Sequence, residues 1–164
     1  KSIDLSKASI ISFATHGLIA GDLNELEESA LVLTPPKTAS EFDDGLLTAS
    51  EIMLLKLNAN WVLLSACNTA AGETLNAEGL SGLARAFIYA GTQSLLVSHW
   101  KIESNAATKI TTGIFDIIQE YPNIKNSEAL RRSLLRLLKS NKNPHYAHPA
   151  FWAPFSLVGD GLSI

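Results

Sequence analysis

The chain has 164 residues, of which 46% are hydrophobic, and its 13 basic and 16 acidic residues give a net charge of −3. This length and this apolar content fit one globular domain with a buried core, and they exclude an intrinsically disordered tail. The mixed charges form no basic pattern typical of nucleic-acid or membrane-surface binding, and no apolar run approaches the roughly 20 residues that span a bilayer.

In chain order, the first third predicts a strand, a hairpin arm and the start of a helix. Residues 10–13 are β-branched and aromatic without alternation, which predicts a central strand buried on both faces. Residues 30–33 form a short apolar run closed by two prolines, and we expect it to belong to a peripheral β-hairpin near residues 30–40. Thr48 and Glu51 match a capping box, so a helix should begin there.

The middle third alternates strand, helix and strand. Residues 61–65 are apolar and predict a second buried strand, which stops shortly before the only cysteine in the sequence. Residues 79–90 carry apolar side chains at helical spacing, and Gly91 stands where a helix commonly ends in a glycine. Residues 93–97 then predict a further strand.

The last third predicts two helices and a closing strand. Ser104 is a suitable cap for a long helix that Pro122 ends. Asn126 or Ser127 caps a second helix, and residues 151–158 predict the last strand. This order of elements indicates an α/β fold with a mostly parallel sheet covered by helices on both faces.

Two of the predicted strands lead to a side chain capable of covalent chemistry. The strand at residues 10–13 leads to His16, which Gly17 follows, and the strand at residues 61–65 leads to Cys67. Ligand crevices of open α/β sheets form at the carboxyl ends of strands, so we expect His16 and Cys67 to face each other there. A single cysteine cannot form an internal disulfide, which fits a reducing compartment and leaves a free thiol.

Each of these residues also has a plain structural interpretation. A free cysteine is often a buried apolar residue, and a histidine in a loop often serves only as a hydrogen-bonding group. The pair is more informative than either residue alone, because the two positions are 67 − 16 = 51 residues apart. Caspases likewise place their histidine about 50 residues before the nucleophilic cysteine.

Five sequence blocks extend this comparison along the chain. They are F-A-T-H-G (13–17), L-L-S-A-C-N-T (63–69), G-L-S-G-L-A-R-A-F-I-Y-A-G (79–91), V-S-H-W-K (97–101) and H-P-A-F-W-A-P-F-S-L-V-G (148–159). In this order the blocks resemble those of the CHAT domain, a caspase-like domain that is commonly attached to tetratricopeptide repeats in bacteria and is related to separase. The resemblance covers the chain from residue 9 to residue 159.

The resemblance implies a caspase-type fold and a cysteine endopeptidase that needs no metal or other cofactor. In the family pattern the histidine of H-G and the cysteine of S-A-C form the catalytic dyad, which assigns these roles to His16 and Cys67. The backbone N–H groups of Gly17 and Cys67 would then stabilise the tetrahedral oxyanion.

The same resemblance implies a substrate groove. In caspases and separases it is lined by the residue two before the cysteine and by the strand that ends in tryptophan, which assigns substrate binding to Ser65, Ser98 and Trp100. Lys101 and Ser65 stand where caspases carry the arginine and glutamine that hold aspartate. Glu103 matches the acid through which separase-like members bind basic residues, and it also suits the first turn of a helix.

We expect residues 1–164 to form a single CHAT domain that lacks the N-terminal strands of the complete caspase-like fold. The resemblance implies a cytoplasmic bacterial peptidase that acts on protein or peptide substrates and is regulated by an attached or partner repeat domain. The composition gives no indication that the domain contacts nucleic acid or a membrane. Two alternatives stay open, a catalytically silent caspase-like domain that binds peptides and a thiol hydrolase or transferase that acts on small esters or amides.

Overall fold

The computed structural model describes residues 4–24, 26–38, 40, 43–65, 82–140 and 144–159. Within these ranges the chain forms strands and α-helices in the order β1 (Ile10–Phe13), β2 (Gly17–Leu18), β3 (Ala30–Val32), β4 (Leu46–Thr48), α1 (Ala49–Met53), β5 (Trp61–Leu64), α2 (Gly82–Tyr89), β6 (Ser94–Ser98), α3 (Ser104–Glu120), α4 (Asn126–Leu138) and β7 (Phe155–Gly159). Two short 3₁₀ turns, Pro144–Ala147 and Pro149–Phe151, precede β7. Cys67 and the first three residues of the helix predicted at 79–90 lie outside the described ranges. No helix in those ranges has the length and apolar character needed to cross a membrane.

The larger sheet has four strands in the order β1-β5-β6-β7. β1 runs parallel to β5, and β5 runs parallel to β6, whereas β7 is antiparallel to β6. The prediction of a mostly parallel α/β sheet is therefore confirmed. The prediction that β1 is a central strand is wrong for the described part of the chain, because β1 pairs there only with β5. Ser12 interrupts the apolar run, and its side chain is exposed.

Helices cover both faces of the larger sheet, as predicted. Successive residues of a strand point to opposite faces, so the side chains of β5 and β6 enter two separate cores. The core shared with α1 and α2 contains the fully buried strand residues Val62, Leu64, Leu95 and Val97. The core shared with α3 and α4 contains the fully buried strand residues Trp61, Leu63 and Leu96. Because burial of one such side chain stabilises the fold by roughly 1.5–3 kcal/mol, β5 is firmly held on both faces.

A smaller antiparallel sheet has the order β2-β3-β4. It confirms the predicted peripheral hairpin, although the second arm of the hairpin is β4 and lies beyond residue 40. Leu31 in the middle strand is fully buried in the core that contains α1 and α2. The small sheet is therefore packed on the main body of the domain through its central strand.

The predicted ends of the first two helices are confirmed. At the start of α1, the Thr48 hydroxyl accepts a hydrogen bond from the Glu51 N–H (3.3 Å), and a Glu51 carboxylate oxygen accepts one from the Thr48 N–H (3.0 Å). After α2, Gly91 has a φ of +104°. This left-handed backbone conformation favours glycine and ends the helix.

The predicted caps of the last two helices are wrong. Glu103, one position before Ser104, is the N-cap of α3, because its longer side chain reaches two backbone N–H groups at once. Lys125 is at the N-cap position of α4 and makes no side-chain cap bond. Asn126 is instead buried, where its amide donates to the Ser94 hydroxyl of β6 over 2.9 Å.

Candidate active site

The carboxyl ends of β1 and β5 lie side by side. Phe13, the last residue of β1, is the partner of Leu64, the last residue of β5. One position further on, the Ser65 N–H donates to the carbonyl oxygen of Phe13 over 3.1 Å. In the sequence, His16 follows β1 by three positions and Cys67 follows β5 by three positions. His16 and Ser65 line one cleft, whereas Cys67 lies outside the described residues.

The backbone around His16 is fixed by the small sheet. The Val32 N–H donates to the carbonyl oxygen of His16 over 2.9 Å. The Thr15 hydroxyl donates to the carbonyl oxygen of the same Val32. These two bonds hold the segment between β1 and β2 against β3, while His16 itself stays exposed to solvent. An exposed imidazole on a fixed backbone is suited to proton transfer with a bound substrate.

Gly17 begins β2 and stands opposite Leu31 of β3. Because the bond between Val32 and His16 flanks this pair, Gly17 and Leu31 form a non-hydrogen-bonded pair of the antiparallel ladder. The Gly17 N–H therefore points away from β3. A backbone N–H with this direction can donate to a group outside the small sheet.

A cleft of about 360 Å³ lies where the ends of β1 and β5 meet the first half of α3. It brings together two residues of the predicted site, His16 and Ser65. The opposite wall carries hydroxyl side chains of α3, namely Ser104, Thr108, Thr111 and Thr112. The hydroxyl oxygens of Ser65 and Thr111 are 3.2 Å apart and share a hydrogen bond.

The hydroxyl side chains of α3 are missing from the predicted site. Their signal in the sequence is a spacing of three to four residues from Ser104 to Thr112, which places them on one face of a helix. This face becomes part of a site only because α3 packs against the sheet next to the ends of β1 and β5. Helical spacing by itself does not predict that the helix packs next to the ends of β1 and β5.

Ser98 and Trp100 are not part of the wall of this cleft. Ser98 is the last residue of β6, stands opposite Phe155 of β7 and is fully buried. Trp100 follows two positions later and is 44% exposed. Trp100 can therefore contact a peptide without rearrangement. The substrate-binding role of both residues stays a prediction.

Glu103 caps α3 through both carboxylate oxygens. Oε1 accepts from the Asn105 N–H (3.0 Å) and Oε2 accepts from the Ala106 N–H (2.8 Å). These backbone donors lower the pKa of the Glu103 carboxyl below its usual value. Glu103 lines a second cavity of about 670 Å³ together with Lys109, His145, Tyr146 and Phe151. It is not among the described residues that line the cleft of His16, so its role as a contact for basic substrate residues stays a prediction.

The other three histidines take part in local structure. His99 Nε2 is 2.9 Å from the Ser156 hydroxyl of β7. His148 Nδ1 accepts a backbone N–H two residues later over 3.2 Å, and the His145 ring packs on Tyr146 at 4.2 Å between centroids. In the part of the chain that the structure describes, no three histidine, cysteine or acidic residues are grouped so that they could hold a metal ion.

Comparison with known proteins confirms the resemblance seen in the sequence. The family model of the CHAT domain matches residues 1–160. Tetratricopeptide repeat protein 28 of Mus musculus is 34% identical over an alignment that is 197 residues long and covers 98% of this chain and 7% of that protein. Tetratricopeptide repeat protein 28 of Homo sapiens is 27% identical over 194 aligned residues, with the same two coverages of 98% and 7%. This chain thus spans about 7% of the length of these relatives, and since both are mammalian, a bacterial setting stays a prediction.

Proposed function

The chain belongs to the CHAT domain family, and we propose that it is a cysteine endopeptidase in which Cys67 and His16 form the catalytic dyad. The observation that carries this proposal is the common cleft of His16 and Ser65 at the joined ends of β1 and β5. Ser65 precedes Cys67 by two positions in the sequence. The proposed reaction is hydrolysis of a peptide bond in a protein substrate, and it requires no metal or other cofactor.

The proposed mechanism uses His16 first as a base and then as an acid. The Cys67 thiol gives its proton to the His16 imidazole, and the thiolate attacks the carbonyl carbon of the scissile peptide bond. The imidazolium then donates its proton to the leaving amine. Water hydrolyses the remaining thioester, with His16 accepting a proton from the attacking water.

The negative charge on the tetrahedral oxygen requires hydrogen-bond donors. The Gly17 N–H, which points away from β3, is proposed as one donor and the Cys67 N–H as the other. Support for Gly17 comes from its position in the small sheet, where the backbone is held before substrate arrives. Donors that are already in place need no reorganisation during the reaction, which is the main source of oxyanion stabilisation.

Four further residues are proposed to contact the substrate, and the geometry supports them unequally. Ser65 lines the cleft, and Trp100 is exposed, so both can reach a peptide directly. Ser98 is fully buried and would act indirectly, by positioning the end of β6. The Glu103 carboxylate already caps α3, which favours a structural role for this residue.

We further propose that an attached or partner tetratricopeptide repeat domain regulates the peptidase. The name of the two mammalian relatives refers to such repeats, and most of each relative lies outside the matched segment. The same name favours a second candidate function, because it refers to repeats and not to catalysis. In that case the domain binds peptides in the same cleft without hydrolysing them.

Labelling with a peptidyl acyloxymethyl ketone tests the proposed activity. The wild-type protein, Cys67→Ala and His16→Ala are compared, and circular dichroism verifies that each variant is folded. We expect labelling of the wild type, none in Cys67→Ala and a strong reduction in His16→Ala. Peptide binding without labelling of the folded wild type would favour the second function, and labelling that persists in Cys67→Ala would exclude the dyad.

A further inference from the structure

The described wall of the cleft beside His16 contains no permanently charged side chain. Within the residues that the structure describes, its lining contains no aspartate, glutamate, lysine or arginine. Glu103 caps α3 and lines the second cavity, and it is not among the described residues that line this cleft. A charged side chain that entered the cleft would lose water without gaining a partner of opposite charge, which is unfavourable. The described part of the wall therefore offers no fixed counter-charge to an acidic or basic side chain.

Three of the six hydroxyl groups in the described wall have already donated their protons. The Thr108 hydroxyl donates to the Ser104 carbonyl oxygen, and the Thr112 hydroxyl donates to the Thr108 carbonyl oxygen, both over 2.8 Å. The Thr15 hydroxyl donates to the Val32 carbonyl oxygen. Because a hydroxyl oxygen has one proton and two lone pairs, these three groups now offer mainly acceptors.

One pair of hydroxyls in the wall retains a donor. Ser65 and Thr111 are joined by one hydrogen bond, which uses one of their two protons and leaves the other for a ligand. Thr111 is also 91% buried. A polar ligand group that reaches this buried pair therefore needs a hydrogen-bond partner there. The described wall thus combines several acceptors with a few donors, because the Ser104 hydroxyl and the His16 ring also line it.

The wall of the cleft also has an apolar part. Ile102 and Ala107 line the same cleft and can cover an aliphatic stem. A carboxamide on such a stem donates through its NH₂ group and accepts through its oxygen, which complements a wall that has both acceptors and donors. Glutamine has this combination of a two-carbon stem and a carboxamide end.

We propose that this cleft takes a glutamine side chain from the substrate, as the residue that precedes the scissile bond. The inference rests on the proposed peptidase function, whose substrate preference it specifies. Ser65 and Thr111 are the residues that determine specificity, since they supply the donor for the carboxamide oxygen. The preference differs from the acidic preference of caspases and from the basic preference to which Glu103 would lead.

The test uses acyloxymethyl ketone probes that differ only in the residue at the reactive end. Glutamine is compared with methionine and glutamate, which have similar shape, and with arginine. We expect the glutamine probe to label Cys67 about tenfold faster than the glutamate and arginine probes, and several-fold faster than the methionine probe. Faster labelling by the glutamate or the arginine probe would overturn the inference.

A conservative variant identifies the group that recognises the carboxamide. Thr111→Val alone leaves the Ser65 hydroxyl with a free proton, so the double variant Ser65→Ala/Thr111→Val, which removes both hydroxyls, should bring the ratio of glutamine to methionine labelling towards one. Thr92→Val is the matched control, because Thr92 is also buried, belongs to neither cavity and has a hydroxyl without a hydrogen-bond partner among the described residues. An unchanged ratio in the double variant, with all variants folded, would overturn the assignment to Ser65 and Thr111.

Binding to the Cys67→Ala variant separates this inference from the peptidase proposal. A blocked tripeptide that ends in glutamine is titrated, and the amide signals of Ser65 and Thr111 are followed by NMR. Binding that is lost for the glutamate analogue, together with no labelling of the wild type, would support the cleft and reject the peptidase. Labelling by the arginine probe without binding of the glutamine peptide would support the peptidase and reject the glutamine preference. Absence of both labelling and binding would reject both.

Discussion

Val32 donates its backbone N–H to the carbonyl oxygen of His16 over 2.9 Å, and its own carbonyl oxygen accepts the hydroxyl proton of Thr15. A residue in the middle of the small sheet therefore fixes the backbone of the proposed catalytic base from two sides. The small sheet is packed on the core through Leu31. The position of His16 thus depends on a sheet that contributes none of the proposed catalytic side chains. Its proposed contribution to catalysis is the backbone N–H of Gly17.

Thr15→Val should disturb the position of His16 while leaving the fold intact. Loss of one hydrogen bond costs about 1 kcal/mol, so we expect labelling of Cys67 to slow by about fivefold. Thr15→Ser keeps the hydroxyl and should label at nearly the wild-type rate. Labelling rates and melting temperatures are measured for both variants, and equal rates in Thr15→Val and the wild type would contradict the positioning role.

Removing the N-cap of α3 should affect stability more than specificity. Glu103→Ala leaves the N–H groups of Asn105 and Ala106 without their carboxylate, and we expect a loss of about 1 kcal/mol in the free energy of unfolding. Glu103→Asp supplies another capping carboxylate and should lose less. Urea denaturation measures both variants. If Glu103→Ala instead lost only its labelling by arginine probes at unchanged stability, Glu103 would be a specificity residue.

The strands and the order of elements could be predicted because they depend on local patterns. The apolar run before Cys67 becomes β5, and every residue of β5 is buried. The capping box of Thr48 and Glu51 depends only on residues three apart in the chain, and the structure contains both of its hydrogen bonds. Signals of this kind do not require knowledge of which elements pack together.

Features that depend on packing between distant elements could not be predicted. The edge position of β1 among the described strands depends on how the strands assemble and not on residues 10–13 alone. Asn126 has a suitable side chain for a cap, yet β6 places Ser94 within reach of its amide, and it is buried there. In the site, the contact of Ser65 with Thr111 joins residues 46 positions apart, which no local spacing indicates.

Glu128 should make stability depend on pH in the acidic range. Hydrogen bonds from Arg131 (2.6 Å) and Arg132 (2.8 Å) lower the pKa of the Glu128 carboxyl from its usual 4.5 to about 2. A carboxyl whose pKa is lower in the folded state stabilises the fold fully above pH 4.5, and this contribution is lost as the pH falls from about 4.5 to 2. Unfolding free energies of the wild type and Glu128→Gln, measured across this range, should therefore converge towards pH 2. A constant difference between the two curves would contradict the shifted pKa.

Gly113 and Ser133 should be strongly coupled in a double-mutant cycle. A Cβ atom at Gly113 would lie 2.6 Å from the Ser133 hydroxyl oxygen, which donates to the Ile110 carbonyl oxygen over 2.7 Å. Alanine in place of a helical glycine normally stabilises by about 1 kcal/mol, but overpacking costs about 1–3 kcal/mol, so Gly113→Ala should destabilise by about 1 kcal/mol. Ser133→Ala should lose about 1 kcal/mol with its hydrogen bond, while the double variant, in which the clash is absent, should be no less stable than Ser133→Ala alone. Chemical denaturation of all four proteins measures the coupling, and strictly additive losses would show that the Ser133 hydroxyl is not what opposes a side chain at position 113.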